Sequence, residues 1–374
     1  MSAYRNRKPR SKIEQQTNKL VEAETKILSL NSEIKTLKQK LKSAYEKNSI
    51  VEILRSEIAS TIKPIKALPK VNIDTTNKKT YTEHLVMHLS DIHGDEVVDP
   101  VSVGGLERYD LNIAMCRAET YVDKVLKYVN NLSCYKFPVL WILVNGDMVS
   151  GEIHGAEQES YYRNMFRNSV AVGQILALMF RDLAPHFPRI NIICVSGNHG
   201  RRTPKKDYPN PRSNWDYLCY EVARLTCKDL KNISWQIPNS FSANIDINGH
   251  GFHLQHGDDM PTGFGGIPWY GIQRKTSRLI ALNNSQGKKI DYFVMGHFHT
   301  STSMAHLNGE TFINGAFIST DPYAYNKLSA YNVPTQLIHG VDADNGVTWR
   351  LNVNLVDKQK EKVGPSRYKI DLSD

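Results

Sequence analysis

From residue 13 onward, apolar side chains return every seventh position: Ile13, Leu20, Ile27, Ile34 and Leu41. Ala23, Leu30, Leu37 and Ala44 follow four of them by three positions, and Gln16 is the one polar residue in that second set. A seam of this spacing over about four heptads predicts a helix that buries its stripe against another helix. The phase slips at Asn48 and resumes at Val51, Leu54 and Ile58, so the coiled-coil helix is expected over residues 13–58. Its stripe is narrow and its other faces are polar. Pairing with further copies of the chain is therefore expected over folding back on its own domain, with Ile and Leu at the seam leaving dimer and trimer both open.

A basic tail, residues 1–12, precedes this helix. Residues 59–80, with "TIKPIKALPKVN" and "TTNKKT", interrupt any helical period with Pro, Lys and Thr, and read as a linker. The folded domain is expected over 81–374. There the pattern changes to short apolar runs alternating with amphipathic stretches. "HLVMHLS", "PVLWILVNGD" and "INIICVSGN" read as buried strands. "NIAMCRAETYVDKVLKYVNNL" and "YYRNMFRNSVAVGQILALMFRDLAPHF" read as the helices between them. This β-α-β-α-β start places candidate sites at the carboxyl ends of strands. The later runs, "SANIDINGHGFHLQHGD", "DYFVMGHFH", "ETFINGAF" and "TQLIHGVDADNGVTWRLNVNLV", carry NG and DNG signals and read as hairpin-rich.

Composition narrows the class. The 374 residues are 40% hydrophobic and 23% charged, as in globular proteins. No apolar run is long enough to span a membrane, and no apolar region follows the basic N-terminus as in a secretory signal, so a cytoplasmic protein without membrane attachment is expected. The five cysteines form no CxxC pair, which argues against a disulfide framework or a thiolate zinc site. The net charge of +9 is unevenly placed: residues 1–70 hold 16 Lys and Arg against 7 Asp and Glu, and the remainder hold 31 of each. A polyanionic partner would meet the N-terminal segment first.

Five polar clusters follow strand-like runs: Asp91-x-His93, Gly146-Asp147, Gly197-Asn198-His199, His256 in "LQHGD", and Gly296-His297-x-His299. Each alone is an ordinary turn or a structural histidine. Together they supply Asp, His and Asn donors without Cys, a set suited to two hard-to-borderline divalent ions such as Mn²⁺, Fe²⁺ or Zn²⁺.

These motifs, in this order, resemble the calcineurin-like metallophosphoesterases, of phage or bacterial type, over roughly residues 84 to 300. The resemblance implies an α/β fold, the four-layer αββα sandwich, with the coiled-coil helix placed before it. It implies that Asp91, His93 and His299 hold a first metal ion and Asn198, His256 and His297 a second, with Asp147 bridging both. His199 would sit over the scissile phosphate, so that Asp147 and His199 carry the catalysis. Two divalent ions, with Mn²⁺ preferred, would make hydroxide available near neutral pH and neutralise phosphate charge.

Departures narrow what transfers. Where many relatives carry an acidic residue after the GNH motif, this chain has Gly200, Arg201 and Arg202; the two arginines are candidate phosphate contacts. The repair nucleases of the superfamily carry a histidine three residues after the GD aspartate. Here that position is Ser150, with His154 further on. Asp95 and Glu96 match no ligand role and are expected at solvated positions. His84, His88, His250, His253 and His306 match no motif and read as structural. Aromatic residues crowd the probable loops "WDYLCY", "PWYG" and "DPYAYNKLSAY", where stacking on bases is one use and core packing the other.

The preferred function is hydrolysis of phosphodiester bonds in nucleic acid, DNA above all. The alternatives are a protein or small-molecule phosphomonoesterase, a nucleotide diesterase, and a non-catalytic coiled-coil scaffold.

Overall fold

The computed structural model describes residues 12–61, 80–153, 160–203, 210–260, 266–307, 309–365 and 367–370. Residues 1–11 of the expected tail, 62–79 of the expected linker, and His154 lie outside them. The chain divides into two units, Met1–Thr76 and Asn77–Asp374.

In the first unit α1 (Lys12–Thr61) is one unbroken helix, so the phase slip at Asn48 does not end it. Leu20, Ile27, Leu30, Ile34, Leu37 and Leu41 are all exposed along it. A helix of Lys, Glu, Gln, Leu and Ala has good propensity but gains little further stability until its apolar stripe is covered.

The first half of the second unit runs β1 (Tyr81–Thr82), β2 (His84–Leu89), α2 (Leu111–Asn131), β3 (Tyr135–Lys136), β4 (Val139–Val144), α3 (Met165–Leu183), β5 (Arg189–Cys194), α4 (Trp215–Thr226) and β6 (Ile233–Gln236). The second half runs β7 (Ser242–Ile247), β8 (His250–Gln255), α5 (Trp269–Ser285), β9 (Tyr292–Met295), β10 (Thr302–His306), β11 (Gly309–Ile313), β12 (Thr335–Asp342), β13 (Gly346–Asn354) and α6 (Lys358–Val363). A six-stranded sheet has the order β13-β12-β2-β4-β5-β6, and a five-stranded sheet the order β10-β11-β9-β8-β7. Strands β2, β4, β5 and β6 are mutually parallel, while β12 and β13 add antiparallel strands at one edge.

Strand periodicity builds the layers. Leu85, Met87, Leu89, Leu140, Ile142, Val144, Ile190 and Ile192 join one core cluster with α2, α3 and α4. Their neighbours Val86, Leu143 and Ile193 point the other way, against Phe252, Leu254, Val294 and Phe312 of the five-stranded sheet. Met295 and Ile313 on that sheet's far side meet Ile272 of α5. The result is the expected four-layer αββα sandwich. Among the described residues no helix is long and apolar enough to cross a membrane, and all five cysteines are free thiols.

Three expected features differ. "WDYLCY" is the start of a helix: Asn214 caps α4 by accepting from Asp216 N, and Asp216, Cys219, Tyr220 and Ala223 form its buried stripe. That stripe begins on an aspartate, which hides the period. "PWYG" likewise leads into α5 rather than a loop. The NG of "ETFINGAF" makes no hairpin. Asn314 is buried, donating to Ser90 Oγ at 3.0 Å and accepting from Leu337 N at 2.9 Å. By contrast, Asn248-Gly249 does join the antiparallel pair β7 and β8.

His88 and His339 lie fully buried between the sheets, with ring centroids 5.0 Å apart. None of their four ring nitrogens has a hydrogen-bond partner among the described residues. Burial pushes the His88 imidazole down from 6.5 to about 3. A base whose folded value is depressed keeps its full contribution above its unfolded value and loses it as pH falls toward the folded one. Stability should therefore decline from about pH 6.5 downward. His88→Phe should flatten that decline, as urea unfolding at pH 7 and pH 4.5 would read. An equal slope in variant and parent would assign the acid sensitivity elsewhere.

Candidate metal centre

All five polar clusters emerge from carboxyl ends of strands, at one end of the sandwich. Asp91 and His93 follow β2, Asp147 follows β4, and Asn198 and His199 follow β5. His256 follows β8, and His297 and His299 follow β9. The tight backbone path is itself informative. Asp91, His93, Asp147, His297 and His299 have φ of 52°, 47°, 55°, 71° and 52°, five of the eight positive-φ non-glycine residues described. Such conformations cost about 1–3 kcal/mol each and concentrate where geometry serves a site. The loops also touch at van der Waals limits. A Cβ on Gly197 would overlap Asp147 Oδ1 and N, and one on Gly296 would overlap Asp91 Oδ2. That is the physical reason for the glycine in GN and GH.

The clusters converge into two groups. Asp91, His93 and His299 form one, Asp147, His256 and His297 the other, and within each the donor atoms lie within 4.8 Å of one another. In the first group His93 Nε2 and His299 Nε2 face each other at 3.2 Å, and His299 Nε2 is 3.4 Å from Asp91 Oδ1. In the second, His256 Nε2 lies 3.1 Å from Asn198 Oδ1, which brings Asn198 into the same set. Asp147 Oδ2 is 2.9 Å from His256 Nε2 but makes no hydrogen bond of acceptable geometry. A buried carboxylate oxygen without a well-aligned donor, among converging imidazole nitrogens, suits a cation. The donor set therefore fits divalent ions.

Neighbouring groups fix which ring nitrogen is available. His256 Nδ1 sits 2.7 Å from Asn145 O, a carbonyl that can only accept, so Nδ1 carries a proton and Nε2 is the nitrogen that faces the donor group. Burial works to lower this imidazole but Asp147 raises it to about 10, so an ion would have to displace a proton there. His93 Nδ1 is 3.0 Å from Ser150 Oγ, whose other partner is Glu96. Burial would raise Asp147, but His256 and His199 hold it well below the carboxylate range. Burial and the nearby His199 and His299 rings push His93 well down, and burial with His256 brings His297 down to about 4. Each group thus keeps one neutral imidazole, the form that ligates metal.

His199 stands beside both groups. Its backbone N–H donates to Asp147 Oδ1 at 2.8 Å, its Nδ1 is 3.2 Å from Ser150 O, and its ring centre is 4.8 Å from that of His93. Arg201 bonds back onto its own loop, through Nε to Thr203 O at 3.0 Å and Nη1 to Asn198 O at 3.2 Å. Arg202 is exposed.

Two corrections concern acidic residues. Asp95 and Glu96, expected in solvent, are buried, and together they clamp Ser150. Asp95 Oδ1 accepts from Ser150 N at 2.6 Å and Glu96 bonds Ser150 Oγ. Burial raises Asp95 to about 6; burial first, then Asp321, raises Glu96 to about 8. The tight DIHGDE turn folds them inward because Glu96 N donates to His93 O at 3.0 Å.

Asp216 carries no signal in the sequence, where a lone aspartate among aromatics matches no motif. It accepts from Asp147 N at 3.0 Å, Met148 N at 2.9 Å and Gly197 N at 2.8 Å, locking two ligand loops together. Asp216→Asn turns an amide toward one or two of these donors. Each donor left unpaired should cost about 1–3 kcal/mol, read as a lowered urea midpoint. A variant as stable as the parent would refute the lock.

Residues 84–301 match the model of the family described as calcineurin-like phosphoesterase. No curated protein matches the sequence. Among solved structures, a hypothetical protein from Pyrococcus horikoshii OT3 is similar at 10% identity, covering 75% of this chain and 91% of its own, with a TM-score of 0.38. An archaeal phosphodiesterase aligns at 12% identity over 72% of this chain and 99% of its own, TM-score 0.32. The phosphoesterase Yfce of E. coli aligns at 14% identity over 72% and 100%, TM-score 0.30.

Proposed function

The chain belongs to the calcineurin-like phosphoesterase family, metal-dependent hydrolases of phosphoester bonds, and from that premise we propose that it cleaves phosphodiester bonds in nucleic acid. The observation that carries the hydrolytic reading is the presence of two donor groups, one of them containing Asp147, with His199 bonded to that carboxylate. Asp91, His93 and His299 would hold one divalent ion and Asn198, His256 and His297 the other, with Asp147 shared. Bound there, the ions would supply an acidified water and charge neutralisation at phosphorus. Mn²⁺ is the first choice for this oxygen- and imidazole-rich set, with Fe²⁺ or Zn²⁺ as alternatives.

The chain's own residues supply the rest. The anchored His199 backbone fixes where the ring stands. Its Nδ1 faces the Ser150 carbonyl, which can only accept, so Nε2 is the ring atom left to face the leaving oxygen as general acid. Asp216, Asp95 and Glu96 hold the loops so that these atoms meet without rearrangement.

Nucleic acid is favoured as substrate by the basic excess confined to residues 1–70. The equal acidic and basic counts of the remaining residues favour the second reading, a phosphomonoesterase. A panel with Mn²⁺ separates them: single- and double-stranded DNA, RNA, bis(p-nitrophenyl) phosphate and p-nitrophenyl phosphate. Turnover of the monoester alone would overturn the diesterase reading.

The exposed stripe of α1 is proposed to close on further copies of the chain. Light scattering at tens of micromolar should give a dimer or trimer. A monomer would refute self-association.

A further inference from the structure

Where the loop after β5 enters α4, the surface opens into a cleft of about 350 Å³. Arg202, Arg212, Trp215, Tyr217 and Glu221 are among the residues that line it. Its wall is built directly onto the loop that bears His199. Trp215 N donates to Gly200 O at 2.7 Å, and Asn214 Nδ2 donates to Gly197 O at 2.9 Å. Arg202 is three residues beyond His199 on the same loop.

The charges in the cleft are unbalanced. Arg202 and Arg212 are exposed, and neither guanidinium has a carboxylate partner among the described residues. Arg212 lies over the Tyr217 ring, 5.7 Å from its centre. Glu221, the acid of the cleft, is already engaged by Arg224, whose Nε donates to it at 3.1 Å. Trp215 lines the cleft half-buried, packed partly against the main core. Two guanidinium groups without a carboxylate partner among the described residues, and an indole in the cleft wall, on the loop that leads from His199, suit a ligand that is both anionic and planar. Guanidinium matches phosphate oxygens in pairs, and an indole face stacks on any base.

We propose that this cleft binds one nucleotide unit next to the scissile phosphate, its base on Trp215 and its flanking phosphate between Arg202 and Arg212. The inference rests on the nucleic-acid reading above and deepens it. It makes the cleft the element that chooses a nucleoside diester over other diesters, without choosing among bases. Polynucleotide strands and free nucleotides share this chemistry.

The test compares two substrates with the same leaving group, thymidine 3′-phosphate 5′-(p-nitrophenyl phosphate), whose 3′-phosphate is the flanking one, and bis(p-nitrophenyl) phosphate, in the full-length Mn²⁺ enzyme and in Arg202→Gln/Arg212→Gln. The parent should prefer the nucleoside ester in kcat/KM, and the variant should lose at least tenfold of that ratio. Independently of turnover, calorimetry with thymidine 5′-monophosphate in excess chelator should show at least tenfold weaker binding by the variant. An unchanged ratio and unchanged binding, in a protein that cleaves DNA, would overturn the cleft and leave the nucleic-acid reading standing. Weakened mononucleotide binding without cleavage of any polynucleotide would keep the cleft, as a site for free nucleotides, and overturn the polynucleotide reading. No binding by the parent, with no preference between the esters, would overturn the cleft.

Discussion

Asp147→Asn should reduce hydrolysis to background and lower the bound metal, because in the proposed centre this one carboxylate would hold both ions, and its Oδ2 has no hydrogen-bond donor among the described residues to release. His199→Ala should behave differently. It leaves both groups intact and should retain metal while losing ~10²–10⁴-fold in rate, the usual worth of a general acid. Metal content after gel filtration, read beside kcat on bis(p-nitrophenyl) phosphate, separates the two variants. Asn at 147 can still accept from His199 N, so the difference between them reports the lost charge rather than a moved loop. Undiminished turnover by Asp147→Asn, or by the parent in excess chelator, would sink the two-metal assignment.

Neutralising Arg5, Arg7, Lys8 and Arg10 to Gln should weaken DNA binding and flatten its salt dependence. Each duplex phosphate that no longer meets a cationic side chain reduces the slope of log K against log salt by roughly 0.9. The variant leaves the heptads of α1 unaltered, so any gain from multivalency is the same on both sides of the comparison. Turnover of a small diester should not change, since none of the four residues belongs to the metal centre. Equal affinity and equal slope in variant and parent would refute DNA binding through the basic N-terminal residues.

The ligand positions are legible because the chemistry is local in sequence. Each cluster is a strand end, a small residue and one or two donors, and the strand runs before them are apolar enough to read. What escapes the sequence depends on distant partners. Asp216 gains its importance only when α4 brings it against the backbones of Asp147 and Gly197, 69 and 19 residues away. Asp95 and Glu96 look solvated until Ser150, 55 and 54 residues on, closes over them. The start of α4 reads as a loop because its buried face mixes an aspartate and a tyrosine with small residues, so hydrophobic periodicity fails where burial periodicity holds. Asn314-Gly315 carries a hairpin signal, yet the asparagine is spent on joining the sheets.

The donor groups draw Asp91 and Asp147 from one sheet and His256, His297 and His299 from the other. His297 N reaches Asp91 Oδ1 at 3.0 Å across 206 residues of chain. Neither half can therefore assemble the centre alone, and its donors meet only after two sheets of largely non-local pairing have docked, the slow kind of topology. An ion that binds only there favours the native state over every partly folded one, by an amount that grows with its free concentration. A centre that holds ions there would in this sense also be the last clasp of the fold, and free metal would shift the balance from the open chain to the closed one.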